Sequence, residues 1–192
     1  MTRKSVYALP FKRKRTGKTN YRKRIKILLA SKPRLVVRKS LNNICAQVIE
    51  YKPEGDRVIL SAHSSDLDEY GWKMNRGNLS SAYLVGLLIG KKAKKQGVKE
   101  LVLDLGLYKS TKGSRVYALL KGCIDAGLNI PHSNEILPDE KRIRGEHIIN
   151  YAAMLKKNNE YEKVFSNYAK NKVSIESFQK YFDETKNKIL GA

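Results

Sequence analysis

Five side chains suited to a polyanion, those of Arg38, Lys39, Ser40, Asn42 and Asn43, lie together between positions 38 and 43. Two cations, a hydroxyl and two amides form a surface for phosphates, riboses and base edges. Apolar residues flank the group, Leu35, Val36 and Val37 before it and Ile44, Ala46, Val48 and Ile49 after it. The pattern predicts two β-strands joined by a short turn, with Asn42 and Asn43 in the bend because asparagine tolerates a positive φ. A hairpin made only for packing has little reason to carry these groups at its tip. A second group precedes a helix predicted from Ser114 to Ala126. There Lys109, Lys112, Ser114 and Arg115 converge with free backbone amides in a phosphate seat. The plainer alternative is an ordinary capped loop.

The charge distribution supports a polyanion. The chain of 192 residues carries a formal charge of +21. No Asp or Glu precedes Glu50, and that stretch holds fifteen Lys and Arg. Such a block gains affinity for nucleic acid by counterion release. A solvated arm or a localisation signal is the bland alternative. Leu79 to Gly90 is apolar but too short to span a bilayer, and lysines follow it, so no membrane is expected. No secretory pattern is visible at the N-terminus, and Cys45 and Cys123 stand singly without metal-ligand or disulfide spacing, which fits a reducing cytoplasm.

Catalytic chemistry finds no footing. Gly17-Lys18-Thr19 is the tail of a phosphate-loop motif, but Lys12 stands where the first glycine belongs and no strand precedes it. His63, His132 and His147 are scattered and have no nucleophile in a recognisable pattern. Asp104 lies in an otherwise apolar part of its strand and is expected to be hydrogen-bonded at the strand end. No enzyme, cofactor, metal or small-molecule substrate is expected.

The elements that must position these groups follow from periodicity. Residues 1–20 form a polar, basic arm, and a helix follows from Asn20, ended by Lys32 and Pro33. A third strand, Arg57 to His63, alternates through Val58, Leu60 and Ala62. A helix from about Ser80 to Gln96, with Asn78 or Ser80 as its cap, carries the stripe Ala82, Gly86, Gly90 and Ala93, which is expected to let it lie close on a sheet. Glu100 to Leu105 is almost continuously apolar and reads as the central strand, covered on both faces. Leu128 to Ile130 is a candidate last strand. Beyond Pro138, helices are expected over Asp139 to Lys157, Glu160 to Lys170 and Ser174 to Leu190.

These segments in this order carry a resemblance. Arg34 to Glu50, Val58 to His63, Asn78 to Gly97, Leu101 to Leu105 and Lys112-Gly113-Ser114-Arg115-Val116-Tyr117-Ala118 resemble the large-subunit ribosomal proteins that bind 5S ribosomal RNA, the L-eighteen family. Gly127-Leu128-Asn129-Ile130-Pro131 and Arg142-Ile143-Arg144-Gly145 look like its archaeal branch. The resemblance spans about residues 10–150 and is weakest over the helical C-terminal part.

It implies an α/β fold of the ribonuclease-H-like kind, a mixed sheet of about five strands with helices. The implied organisation is a basic arm and helix over 1–33, a 5S-rRNA-binding core over 34–135 and a helical extension over 136–192. It implies a structural protein that anchors 5S rRNA to the large-subunit rRNA in the central protuberance, beside neighbouring large-subunit ribosomal proteins, in the cytoplasm. Carried onto this chain, Arg13, Lys14, Arg15, Thr16, Lys18, Thr19, Tyr21, Arg22 and Arg24 would track phosphates, with Tyr21 able to stack, and the hairpin residues would meet the RNA. Bacterial members carry a basic residue and often an aromatic where this chain has Asn43 and Cys45.

Two other readings stand beside it. A general nucleic-acid-binding protein shares the charge but predicts weak discrimination among nucleic acids, and no helix-turn-helix or zinc module is visible. A metal-dependent nuclease of the same architecture needs gathered carboxylates, yet the first strand offers Arg38 and Lys39 instead.

Overall fold

Alternating apolar residues build a four-stranded mixed sheet in the computed structural model, which describes residues 8–170 and 173–191. The first seven residues of the basic arm lie outside the described residues. The strands are β1 (Arg34–Lys39), β2 (Ile44–Glu50), β3 (Arg57–His63) and β4 (Val102–Asp104), in the order β3-β2-β1-β4. β1 and β2 form the predicted antiparallel hairpin, β3 extends it, and β4 pairs parallel to β1.

Along the chain the helices are α1 (Lys12–Arg15), α2 (Tyr21–Leu28), α3 (Leu79–Lys95), α4 (Arg115–Asp125), α5 (Glu140–Ile143), α6 (Glu146–Lys157), α7 (Tyr161–Val164), α8 (Ser166–Lys170) and α9 (Phe178–Gly191). Asn78 caps α3, its Oδ1 accepting from the Ser81 amide at 2.7 Å, whereas the Ser80 hydroxyl is buried and donates to the Ile143 carbonyl at 2.5 Å. Leu35, Val37, Ile44, Ala46 and Val48 turn to one side of the sheet and join α3 and α4 in the core.

Several expectations need correction. The apolar run around β4 is at the sheet edge, not its centre, and all three β4 residues are only half-buried. A run of Leu and Val around one Asp satisfies a covered edge as well as a centre; β1, buried from Arg34 to Val37, and β2 are the inner strands. The expected fifth strand shrinks to one parallel bridge between Glu100 and Asn129, because Pro131 lacks the donor that further pairing requires. A register shift between Val48 and Ile49 places Val58 opposite Ile49, so Val58 leaves the core face and is exposed. The basic arm also contains one helical turn, α1, ended by Gly17 at φ +63°.

The small-residue stripe of α3 packs on another helix instead of the sheet. A Cβ on Gly86 would collide with the Leu119 carbonyl of α4, and one on Gly122 with the Tyr83 carbonyl of α3. Gly90 faces Ala126 and Cys123 in the same way. Periodicity identified the close approach but not its partner, since a flat sheet and a second helix both accept a small-residue stripe.

The C-terminal helices close the far side of this pair. The predicted Asp139–Lys157 helix is broken between α5 and α6 by Gly145 at φ +79°, where a Cβ would run into the Phe178 ring. Phe178 meets Trp72 edge-on at 5.5 Å between ring centroids, and Phe182 lies 5.8 Å from Tyr83. With Ile189 they place α9 within the main core.

Backbone contact at the α3–α4 crossing gives a direct test. Gly86→Ala should lower unfolding stability by about 1–3 kcal/mol, as overpacking does in a filled core. The expected result is a lower urea midpoint with an unchanged slope.

Candidate nucleic-acid interface

Arg34, Val36 and Arg38 of β1 point away from the helices, opposite to Leu35 and Val37, because side chains alternate along a strand. Over this face the arm and α2 leave a groove of about 430 Å³. Its lining includes Arg13, Lys18, Thr19, Tyr21, Arg24 and Arg38, so one concavity gathers six residues expected to meet RNA from arm, helix and strand.

The arm is folded back on itself where it lines this groove. Gly17 turns the chain, Arg13 Nε donates to Thr19 Oγ1 at 2.9 Å, and Asn20 caps α2 by accepting from the Lys23 amide at 3.1 Å. Tyr21 packs against Phe11 with ring centroids 5.4 Å apart. Lys14, Arg15, Thr16 and Arg22 are exposed beside the groove lining.

The floor rests on a residue that sequence reasoning passed over. Arg34 is only 3% exposed, with Nη1 2.8 Å from Asp104 Oδ2 and Nη2 2.7 Å from Asp56 Oδ2. Asp56 also receives Arg24 Nη2 at 2.8 Å, which ties α2 to the turn before β3. Asp104 uses its other oxygen to accept from the Gly106 amide at 2.9 Å, so it is hydrogen-bonded at its strand end as expected. The available signal was an arginine at the head of an otherwise apolar strand, which demands a buried anionic partner.

The hairpin tip is held from three sides. Ser40 closes the turn: its amide donates to the Asn43 carbonyl at 2.8 Å, and its hydroxyl accepts from the Asn43 amide at 2.9 Å. Neither Asn42 nor Asn43 has a positive φ, so the serine clamp, not asparagine's tolerance of that region, makes the bend. Arg115 Nη1 donates to the Ser40 carbonyl at 3.1 Å and to that of Gly77 at 2.7 Å, and the tip backbone packs against Gly77, where a Cβ would strike Leu41 and Asn42. On the remaining side the Tyr108 hydroxyl bonds both amide and carbonyl of Lys39, and the Lys39 ammonium sits 5.1 Å from the Tyr108 ring centroid.

The loop before α4 is thereby joined to the hairpin, with Arg115 spanning the two. Lys109 is exposed there, and Lys112 makes an exposed ion pair with Glu135 at 3.2 Å. The Ser114 side chain makes no capping bond on α4. Elsewhere, His63 Nδ1 lies 2.6 Å from Ser65 Oγ and His132 Nδ1 lies 2.7 Å from the Ile130 carbonyl. Among the described residues no three His, Cys, Asp or Glu side chains are grouped to hold a metal ion, and no helix is long and apolar enough to cross a membrane.

Asp104→Ala should cost about 3 kcal/mol, since it strips one partner from a buried guanidinium, and chemical denaturation reads this directly. Acid should act through Asp56. Burial raises its pKa, but hydrogen bonds and charges from Arg24 and Arg34 outweigh that and hold it below the ordinary carboxylate value. Its contribution is therefore complete above the unfolded pKa of about 3.9 and is lost as pH falls through the lower folded value. A stability–pH series should steepen below about pH 4, and Asp56→Asn should flatten that segment.

Comparison with known families gives a match over most of this architecture. The model of the family described as "Ribosomal large subunit proteins 60S L5, and 50S L18" matches residues 5–102 and 91–133, from the basic arm through the hairpin and α4 to the segment that follows α4. This chain belongs to that family and is an RNA-binding protein of the large ribosomal subunit, acting in translation within the cytoplasmic ribosome.

Proposed function

We propose that this chain binds 5S rRNA and helps anchor it to the large-subunit rRNA in the central protuberance, as a structural constituent and not an enzyme. The observation that carries the reading is the joining of three basic segments into one surface. The arm and β1 share the groove, and Arg115 and Tyr108 fasten the hairpin tip to the loop before α4.

In this reading Arg13, Lys14, Arg15, Thr16, Lys18, Thr19, Arg22 and Arg24 follow the phosphate backbone, and Tyr21 offers its ring to a base. Arg38, Lys39, Ser40, Asn42 and Asn43 present the rigid tip, with Lys109, Lys112, Ser114 and Arg115 continuing it. Arg115 and Lys39 act partly by position, since carbonyls hold one and a tyrosine ring the other. The sheet order β3-β2-β1-β4, with the parallel bridge to Asn129 beyond β4, supports a ribonuclease-H-like architecture. In this proposal the basic core faces rRNA, and the exposed side of the C-terminal helices is available to neighbouring large-subunit proteins. The helical extension over 136–192 and the Arg142–Gly145 segment support an archaeal-type member.

The test is a competition titration of labelled 5S rRNA against excess transfer RNA and duplex DNA at two salt concentrations. The native chain should keep 5S rRNA under competitor, with affinity falling steeply as salt rises. Arg38→Ala should weaken binding about tenfold and reduce the salt slope by about one. Equal displacement by every polyanion would identify a general nucleic-acid binder instead.

A further inference from the structure

The groove beneath the arm holds more than phosphate-tracking cations. Val36 and Ile49 are apolar residues on the sheet face away from the core, and they line it together with Leu107 and Tyr21. An aliphatic floor and an aromatic side chain suit the flat face of a nucleobase. A volume of about 430 Å³ falls in the range of small-molecule sites, about 300–1,000 Å³.

The polar groups are unbalanced in a way that selects the base. Both carboxylates in the lining, Asp56 and Asp104, are engaged by Arg24 and Arg34. The donors are not used up. Arg34 Nε is buried without a hydrogen-bond partner among the described residues, although Nη1 and Nη2 each donate to a carboxylate. A buried N–H left unpaired is costly and marks a place where an acceptor belongs. The Arg38 guanidinium and the Lys18 ammonium, also in the lining, make no hydrogen bond or ion pair among the described residues.

We propose that this groove is a pocket for one unpaired guanine of the bound RNA, its face on Val36, Ile49 and Tyr21 and its N7 and O6 toward the arginine donors. Guanine presents two adjacent acceptors on that edge, whereas adenine replaces one with an amino donor that would face the guanidinium N–H groups. The inference rests on the 5S-rRNA-binding reading above and adds to it a base-specific site among residues otherwise assigned to phosphate tracking and unspecific stacking.

The experiment is dimethyl sulfate methylation of guanine N7 in 5S rRNA, free and bound to the full native chain, alongside hydroxyl-radical footprinting of the ribose backbone. At least one unpaired guanine should be protected at N7. Replacing it with adenine or 7-deazaguanine should weaken binding about tenfold, within the range of one bidentate contact, whereas inosine, which keeps N7 and O6, should bind as guanine does. Ile49→Trp, which fills the groove, should abolish that N7 protection and flatten the preference for guanine. The RNA substitutions decide the question with native protein even if that variant does not fold. A backbone footprint with no unpaired guanine protected, or with guanine, adenine and 7-deazaguanine equivalent, overturns the pocket and leaves RNA binding standing. Absence of any backbone footprint from folded protein overturns the proposed 5S rRNA binding, and the pocket with it.

Discussion

A guanidinium taken out of water governs this fold. Arg34 stands at the head of β1, where its neighbours are buried apolar residues, and burying its charge costs several kcal/mol unless anions reach it. Asp104 and Asp56 both do, one from β4 and one from the turn before β3. Because Asp56 also takes Arg24, the same cluster connects the parallel edge strand, the antiparallel meander and α2. Arginine suits the position because its planar fork can meet two carboxylates at once, which a lysine point charge cannot do as well.

The opposite face of the sheet is organised by backbone proximity instead of charge. Gly86 and Gly122 let α3 and α4 approach until each glycine meets the other helix's carbonyls, and the pair covers the apolar sheet face. Phe178 and Phe182 seal the outer side of α3 and bring α9 into the same core. That layer is therefore apolar and closely packed, where the other sheet face is lined by cations. That asymmetry suits a polyanion, since a fixed platform holds its cations in place.

Rigidity extends to the hairpin tip. Exposed turns ordinarily move, but this one is clamped by Ser40, braced by Arg115 and held at its edge by Tyr108. Its exposed groups, Arg38 and Asn42, and Leu41 at 90% exposure, are thus presented without much ordering cost on binding. The loop before α4 supplies part of this support, so two segments distant in the chain act as one surface.

The amino-acid sequence by itself determined the hairpin, the third strand, α3 and α4 and the basic character of the arm, because period-two and helical patterns, end signals and charge runs are local properties. It also determined the family, through the order of those segments. Only the tertiary structure decided that β4 is an edge strand, that the α3 stripe meets α4, that Val58 turns outward at a register shift, and that Arg34 joins Asp56 and Asp104. Each of these depends on which distant segment arrives at a surface. An apolar run, a small-residue stripe or a strand-head arginine states what its neighbour must be like, and long-range packing chooses which neighbour it is.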